Sequence, residues 1–245
     1  MFARGGAPER RREQDHAASC HSPVRPTAAV TGLAAEACIV RRIGWRAVAV
    51  GGDADRTRRA IAQLIAEGAS ALVSFGICGG LDPALGSGAL ILPHAVSSED
   101  GRHRRVDAAL RGALAAPLGR AGIAAAGGDV IGAARAADTP SRKAALHRRS
   151  GAIAVDLESH LVADAAAAAG IPFAVLRAVA DPAERALPPA ALIGLDAAGR
   201  PALGRVLLSL ARQPGQLPTL LQLARDTRRA LAALRRAGNA LAEYR

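Results

Sequence analysis

The feature that most restricts this chain is a set of short apolar runs, without polar alternation, separated by helical patterns. Ala28-Ala29-Val30-Thr31, Ala47-Val48-Ala49-Val50 and Ala71-Leu72-Val73-Ser74-Phe75 are runs of this kind. A strand that is apolar on both faces must be covered on both sides, so these runs require helices above and below a sheet. Further strands are predicted at 89–93, 152–155 and 172–180, and a helix containing Ile61, Leu64 and Ile65 follows the second run. Between the last two strands, Ser159 to Ala169 reads as an Ala-rich helix closed by Gly170, which makes a β-α-β unit. The expected architecture is a three-layer α/β/α sandwich forming a single domain over 27–245. Residues 1–26 mix Arg, Gly, Pro and polar residues without apolar periodicity and are predicted to be a disordered extension.

A long helix is predicted over about 218–242. Leu220, Leu223, Ala224, Leu231 and Leu234 form one stripe, and Arg225, Arg228, Arg229, Arg235 and Arg236 fall largely elsewhere. A basic amphipathic helix of this sort either docks its stripe on the parent domain or faces lipid, and docking is the commoner outcome.

Charge and cysteine usage narrow the class. The formal net charge is +11, but Arg is spread along the chain and aromatic residues make up only 2%, so the expected basic surface is a solvated one and not a nucleic-acid groove. Cys20, Cys38 and Cys78 are odd in number and lack CxxC spacing, which predicts reduced thiols and a cytoplasmic protein. No apolar run approaches the ~20 residues of a spanning helix. Walker A, GxSxG, HExxH and complete GxGxxG signatures are absent, and the six His have no ligand-like spacing, so no metal or organic cofactor is expected.

The remaining chemistry lies at strand ends. Gly76, Gly79 and Gly80, around Ile77 and Cys78, follow an apolar run, where glycine lets backbone approach a ligand or simply makes a turn. Asp156 and Glu158 sit where a strand gives way to a helix, a position suited equally to capping and to holding a ligand. Arg177 and Asp181 end the next strand in the same way, and carboxyl ends of neighbouring strands form the usual ligand crevice of an α/β sheet.

In this order and spacing, the Gly76-Ile77-Cys78-Gly79-Gly80 loop, Val155-Asp156-Leu157-Glu158, and Gly170-Ile171-Pro172-Phe173 with Arg177 and Asp181 resemble the superfamily of purine nucleoside phosphorylases and 5′-methylthioadenosine/S-adenosylhomocysteine nucleosidases. Thr31-Gly32-Leu33-Ala34-Ala35-Glu36-Ala37, the stretch Gly194 to Pro201, Gln213-Pro214 and Leu217-Pro218 are similar to its hopanoid-associated branch. The resemblance implies a mixed central sheet, at least a dimer, and cleavage of an N-glycosidic bond. In that branch the substrate is adenosylhopane, a lipid-linked nucleoside that loses adenine, and peripheral contact with the membrane surface is expected. It further implies that Asp181 is the general acid at purine N7, that Glu158 grips the ribose hydroxyls with Leu157 against the sugar, and that Glu36 activates water. Val130 and Ile131 are placed near adenine, and Gly76, Ile77, Cys78, Gly79 and Arg177 along the substrate.

Two departures from the family pattern bear on mechanism. Ala180 replaces the usual Ser or Thr beside the acid, and Ser74 and Ile77 stand where phosphorylases hold phosphate with Arg and Ser. Inorganic phosphate therefore remains an alternative co-substrate to water, with Arg41 and Arg42 as further cations. A soluble methylthioadenosine or adenosylhomocysteine nucleosidase is the second enzymatic reading. A nonenzymatic basic protein that binds lipid or nucleic acid is the third.

Overall fold

The computed structural model describes residues 27–193, 196 and 199–243. The expected extension at 1–26 lies outside the described residues, as do Gly194, Leu195, Ala197 and Ala198. A ten-stranded mixed sheet forms the centre. Strands β1 (Thr27–Thr31), β2 (Arg46–Ala49), β3 (Ala71–Gly80) and β10 (Phe173–Asp181) lie parallel in the order β2-β1-β3-β10. β3 and β10 are the long strands, and they run on beyond β1 into the rest of the sheet. There β9 (Ala154–Asp156) pairs antiparallel with the end of β3, and β4 (Leu90–Ile91) pairs antiparallel with β10. β8 (Asp129–Gly132), β5 (Ala95–Ser98) and β6 (His103–Arg105) extend the sheet past β9, and β7 (Ala125–Ala126) edges β4.

Side-chain alternation along the strands explains why both faces are covered. On one face Ala29, Val73, Phe75, Ala174, Leu176 and Ala178 pack under α1 (Ala34–Arg42), α3 (Ala108–Arg120) and α8 (Leu217–Glu243). On the other, Ala28, Val30, Leu72, Phe173 and Val175 pack under α2 (Ala54–Ala66) and α5 (Ser159–Ala169). Two short helices, α6 (Pro189–Leu192) and α7 (Leu203–Arg212), lead into α8, and α4 (Pro140–Ser150) lies between β8 and β9.

Two sequence expectations are corrected. Gly76 to Gly80 is not a turn: each of Gly76, Ile77, Cys78 and Gly79 is paired to β10, so the strand continues through the glycines. The predicted β-α-β unit is also different, because β3 lies between β9 and β10 and runs antiparallel to β9. The helix α5 does link them, and Gly170 ends it with a left-handed φ of 65°, which glycine adopts without a Cβ clash.

The C-terminal helix divides along its length. Ala230, Ala233, Leu234, Ala237, Ala240 and Leu241 are buried at helical spacing, and a Cβ on Gly238 would sit 2.8 Å from Ile39, so α8 and α1 touch through the missing side chain. Its first turns, in contrast, leave Leu217 and Leu221 about half exposed. Docking on the domain thus describes the second half of the helix and not the first.

Leu234 is fully buried in the larger core and Leu207 of α7 is 65% exposed. Leu234→Ala is expected to lower unfolding free energy by about 2–5 kcal/mol, through lost burial and a residual cavity. Leu207→Ala should change it by less than about 0.5 kcal/mol. Urea denaturation of the two variants checks the contrast.

Candidate active site

The sheet surrounds one buried cation. Arg177 is 1% exposed in the middle of β10, and its guanidinium is ringed by carboxylates and oxygen acceptors. Nε pairs with Asp156 at 2.7 Å, and Nη2 donates to Glu158 at 3.0 Å and to the Ser74 hydroxyl at 2.7 Å. Nη1 donates to the Ile77 carbonyl at 3.2 Å. A buried guanidinium is tolerable only when paired in this way, because desolvation of an isolated one would cost far more than the domain could recover.

The two acids of the β9 end divide the roles that the sequence left open. Asp156 accepts from the Ser159 backbone amide at 2.9 Å and from its hydroxyl, so it orders the start of α5 and anchors Arg177. Glu158 makes no capping bond to the helix. It faces a cavity of about 910 Å³, toward the upper end of the range of about 300–1,000 Å³ typical of small-molecule sites.

Glu36 sits beside it. The carboxylate is completely buried, with Oε2 accepting from the Leu33 amide and Oε1 from the Ile77 amide, each at 2.8 Å. The glycines make room for this crowding. A Cβ on Gly76 would fall 2.6 Å from Glu36 Oε2, and one on Gly32 would fall 3.1 Å from Glu158 Oε1. Glycine in the β3 strand therefore serves close approach between side chains of the site. Burial raises the Glu36 pKa to about 7, against the lowering effect of the two amides and Arg177. Burial also raises Glu158, with Arg177 opposing.

Asp181 ends β10 on the same cavity. Its neighbour was missed in the sequence. Lys143, the sole lysine of the chain, is completely buried on α4 and places Nζ 2.6 Å from Asp181 Oδ2. The same ammonium donates to the carbonyls of Asp181, Pro182 and Arg185 at 2.9, 2.8 and 3.0 Å. It holds the Asp181 carboxyl where Ala180 offers no hydroxyl. Burial raises the Asp181 pKa to about 6, Lys143 pulls it down, and buried Asp226 pushes in the same direction as burial. The only sequence signal for Lys143 was its singularity among 32 basic residues.

Around the cavity the structure brings together Glu36, Ile77, Cys78, Gly79, Leu157, Glu158, Arg177 and Asp181. Gly76 lies behind them against Glu36 and Arg177. Burial pushes the Cys78 thiol up, which keeps it neutral. Val130 and Ile131 are placed differently from the expectation. Both are buried in core clusters, Val130 with Cys78 and Val179 and Ile131 with Leu81 and Leu146, and the corresponding wall is built from Arg135 to Asp138. The apolar pattern does not reveal β8 as a strand paired on both sides. Arg41 is also elsewhere: it donates to the Ala47 carbonyl and borders a separate groove with Trp45 and Glu67. Besides Arg177, Arg135 and Arg142 are the cations among the described residues that line the cavity.

Gly199 packs against the Gly32–Ala34 backbone at this end of the sheet. Gly199 has a φ of 68°, its carbonyl accepts from the Ala34 amide at 3.1 Å, and a Cβ there would lie 2.3 Å from the Gly32 carbonyl. Only glycine fits.

Replacing Lys143 with Met removes the cation that lowers Asp181 and the donor that orients it. The expected result is a rate loss of at least about tenfold, with any pH limb due to Asp181 moved to higher pH. A pH–rate profile of folded Lys143→Met distinguishes this from simple destabilisation, which leaves the limb in place.

A family model described as the phosphorylase superfamily matches residues 21–197. Among solved structures, the chain is similar to a 5′-methylthioadenosine/S-adenosylhomocysteine nucleosidase from Neisseria meningitidis in complex with methylthio-immucillin-A. That match has a TM-score of 0.67 at 15% identity and covers 91% of this chain and 100% of that one. It is also similar to the futalosine hydrolase of Helicobacter pylori, with a TM-score of 0.62 at 13% identity, covering 89% of this chain and 97% of that one. No curated protein sequence matches the chain.

Proposed function

The chain belongs to the phosphorylase superfamily, and from that premise we propose that it hydrolyses the N-glycosidic bond of an adenine nucleoside whose 5′ substituent is apolar, adenosylhopane above all. The observation that carries the choice of water over phosphate is the position of Glu36. Phosphate is held by free amides and by Arg through charge-assisted hydrogen bonds. Here the Ile77 and Leu33 amides are both taken by the Glu36 carboxylate, and the Arg177 guanidinium is taken by Asp156 and Glu158. An anion entering beside them would meet carboxylates whose compensating donors are already committed.

The same groups suit hydrolysis. Lys143 holds Oδ2 of Asp181, so a proton on that carboxyl belongs on Oδ1. Transfer of this proton to purine N7 neutralises the base as the bond from C1′ to the purine nitrogen breaks. Glu158 accepts hydrogen bonds from the ribose hydroxyls and stabilises positive charge developing on the sugar. Water adds its oxygen to C1′ and gives its proton to Glu36, whose pKa near 7 suits a base at neutral pH. One water is consumed, and free adenine and the ribosyl product leave.

The apolar 5′ substituent is supported by the far wall of the cavity, which Leu187, Leu192, Val206, Leu220 and Leu223 from α6, α7, α8 and the preceding loop line with apolar side chains. A methylthio group would fill only a small part of such a wall.

Purified protein is expected to release adenine from adenosylhopane in phosphate-free buffer, with Asp181→Asn losing nearly all turnover while keeping its fold. Release that requires phosphate would remove the hydrolytic reading, and higher kcat/KM on methylthioadenosine would remove the apolar 5′ substituent. The pH profile provides a further check. Asp181 must be protonated, which fails above about pH 6, and Glu36 must be ionised, which fails below about pH 7. A bell-shaped kcat/KM curve centred between these values is expected, and Glu36→Gln should abolish the dependence on an ionised base along with most of the rate.

A further inference from the structure

Among the described residues, every large apolar side chain that is strongly exposed lies between Leu192 and Leu221. Leu203, Leu207 and Leu208 are 68%, 65% and 54% exposed. Helix α7 buries none of its residues, although Leu203, Val206, Leu207 and Leu210 fall at i, i+3, i+4 and i+7 and form a continuous stripe. A folded domain rarely leaves such a stripe in water without a use for it. Val206 and Leu220 belong at once to this region and to the wall of the catalytic cavity, so the exposed face and the site are continuous.

The charges on the same segment select the occupant. From Pro201 to Arg225 the sequence contains no Asp or Glu, while Arg205, Arg212 and Arg225 are exposed. Arg205 and Arg212 lie one heptad apart on the side of α7 opposite Leu203. An apolar stripe backed by arginine is the pattern of a helix lying in a lipid headgroup layer. A carboxylate-free segment with three exposed arginines carries net positive charge only, which complements an anionic surface and not an identical copy of itself.

We propose that α7 and the first turns of α8 seat the protein on an anionic lipid bilayer, so that the mouth of the catalytic cavity opens onto the membrane surface. The inference rests on the proposed function for what enters the cavity, while the docking itself is measured independently. A substrate with a large apolar substituent then passes from bilayer to cavity without full exposure to water, and its nucleoside end reaches Glu158 and Asp181 first.

Vesicle sedimentation tests this. The full chain is expected to pellet with phosphatidylcholine vesicles containing phosphatidylglycerol and to stay in solution with pure phosphatidylcholine. Leu207→Glu combined with Leu208→Glu should reduce partitioning on the order of tenfold for each leucine. Arg205→Ala and Arg212→Ala should each reduce it about fivefold at low salt. Adenine release from soluble adenosine should be unchanged in the leucine double variant, since neither leucine lines the cavity. Failure of the wild type to bind anionic vesicles, or equal binding by the double variant, overturns the proposal. Conversion of a dimer to a monomer by the double variant, without vesicle binding by either protein, assigns the face to a second copy instead. Vesicle binding without adenine release from any nucleoside would refute the enzymatic reading and leave the docking intact.

Discussion

The site depends on the guanidinium of Arg177 buried in the sheet. Its location in β10 obliges Asp156 and Glu158 to turn inward, since a buried cation without anions is far too costly to keep. That obligation places the end of β9 and the start of α5 against β3, and it ties Ser74 and Ser159 into the same network. Glu36 then finds two amides and a nearby positive charge to offset its own burial. Carboxylates from two distant segments, Glu36 on α1 and the Asp156–Glu158 pair at the end of β9, gather around one side chain, and Gly32 after β1 and Gly76 in β3 supply the space between them.

A second buried cation controls the other end of the cavity. Lys143 and Asp181 illustrate a competition between desolvation, which favours the neutral acid, and ion pairing, which favours the carboxylate. Desolvation prevails, and the pKa stands near 6. An acid tuned solely by burial would be harder to ionise and poorly oriented; one tuned solely by the ion pair would lack a proton to give. The balance suits a group that protonates a leaving base and regains its proton from water near neutral pH.

The cavity is asymmetric for a reason rooted in the fold. Its floor is made by strand ends in the middle of the sheet, where side chains are surrounded on every side and polar groups must be paired. Its mouth is made by α6, α7 and the first part of α8, which pack chiefly on one another and leave their outer apolar side chains exposed. The second half of α8 covers β3 and β10 and is buried; the first half turns Leu220 and Leu223 to the cavity and leaves Leu217 and Leu221 about half exposed. One helix is thus both a core element and part of an apolar rim.

Much of this was legible in local sequence. Apolar runs with no polar alternation determined that a sheet is covered on both faces, the amphipathic period determined α2, α5 and α8, and the clustering of Gly, Asp, Glu and Arg at strand ends indicated where chemistry lies, because burial and backbone crowding leave marks on neighbouring residues. Partners far apart in the chain leave no such mark. That β9 runs antiparallel to β3, that Val130 and Ile131 turn into the core, that Lys143 meets Asp181 across 38 residues, and that the Ile77 amide serves Glu36 were decided by strand pairing and helix packing. Sequence periodicity states which side of an element is apolar. Only the tertiary structure states what stands opposite it, and the desolvation and ion pairing that tune a catalytic group come from that neighbour.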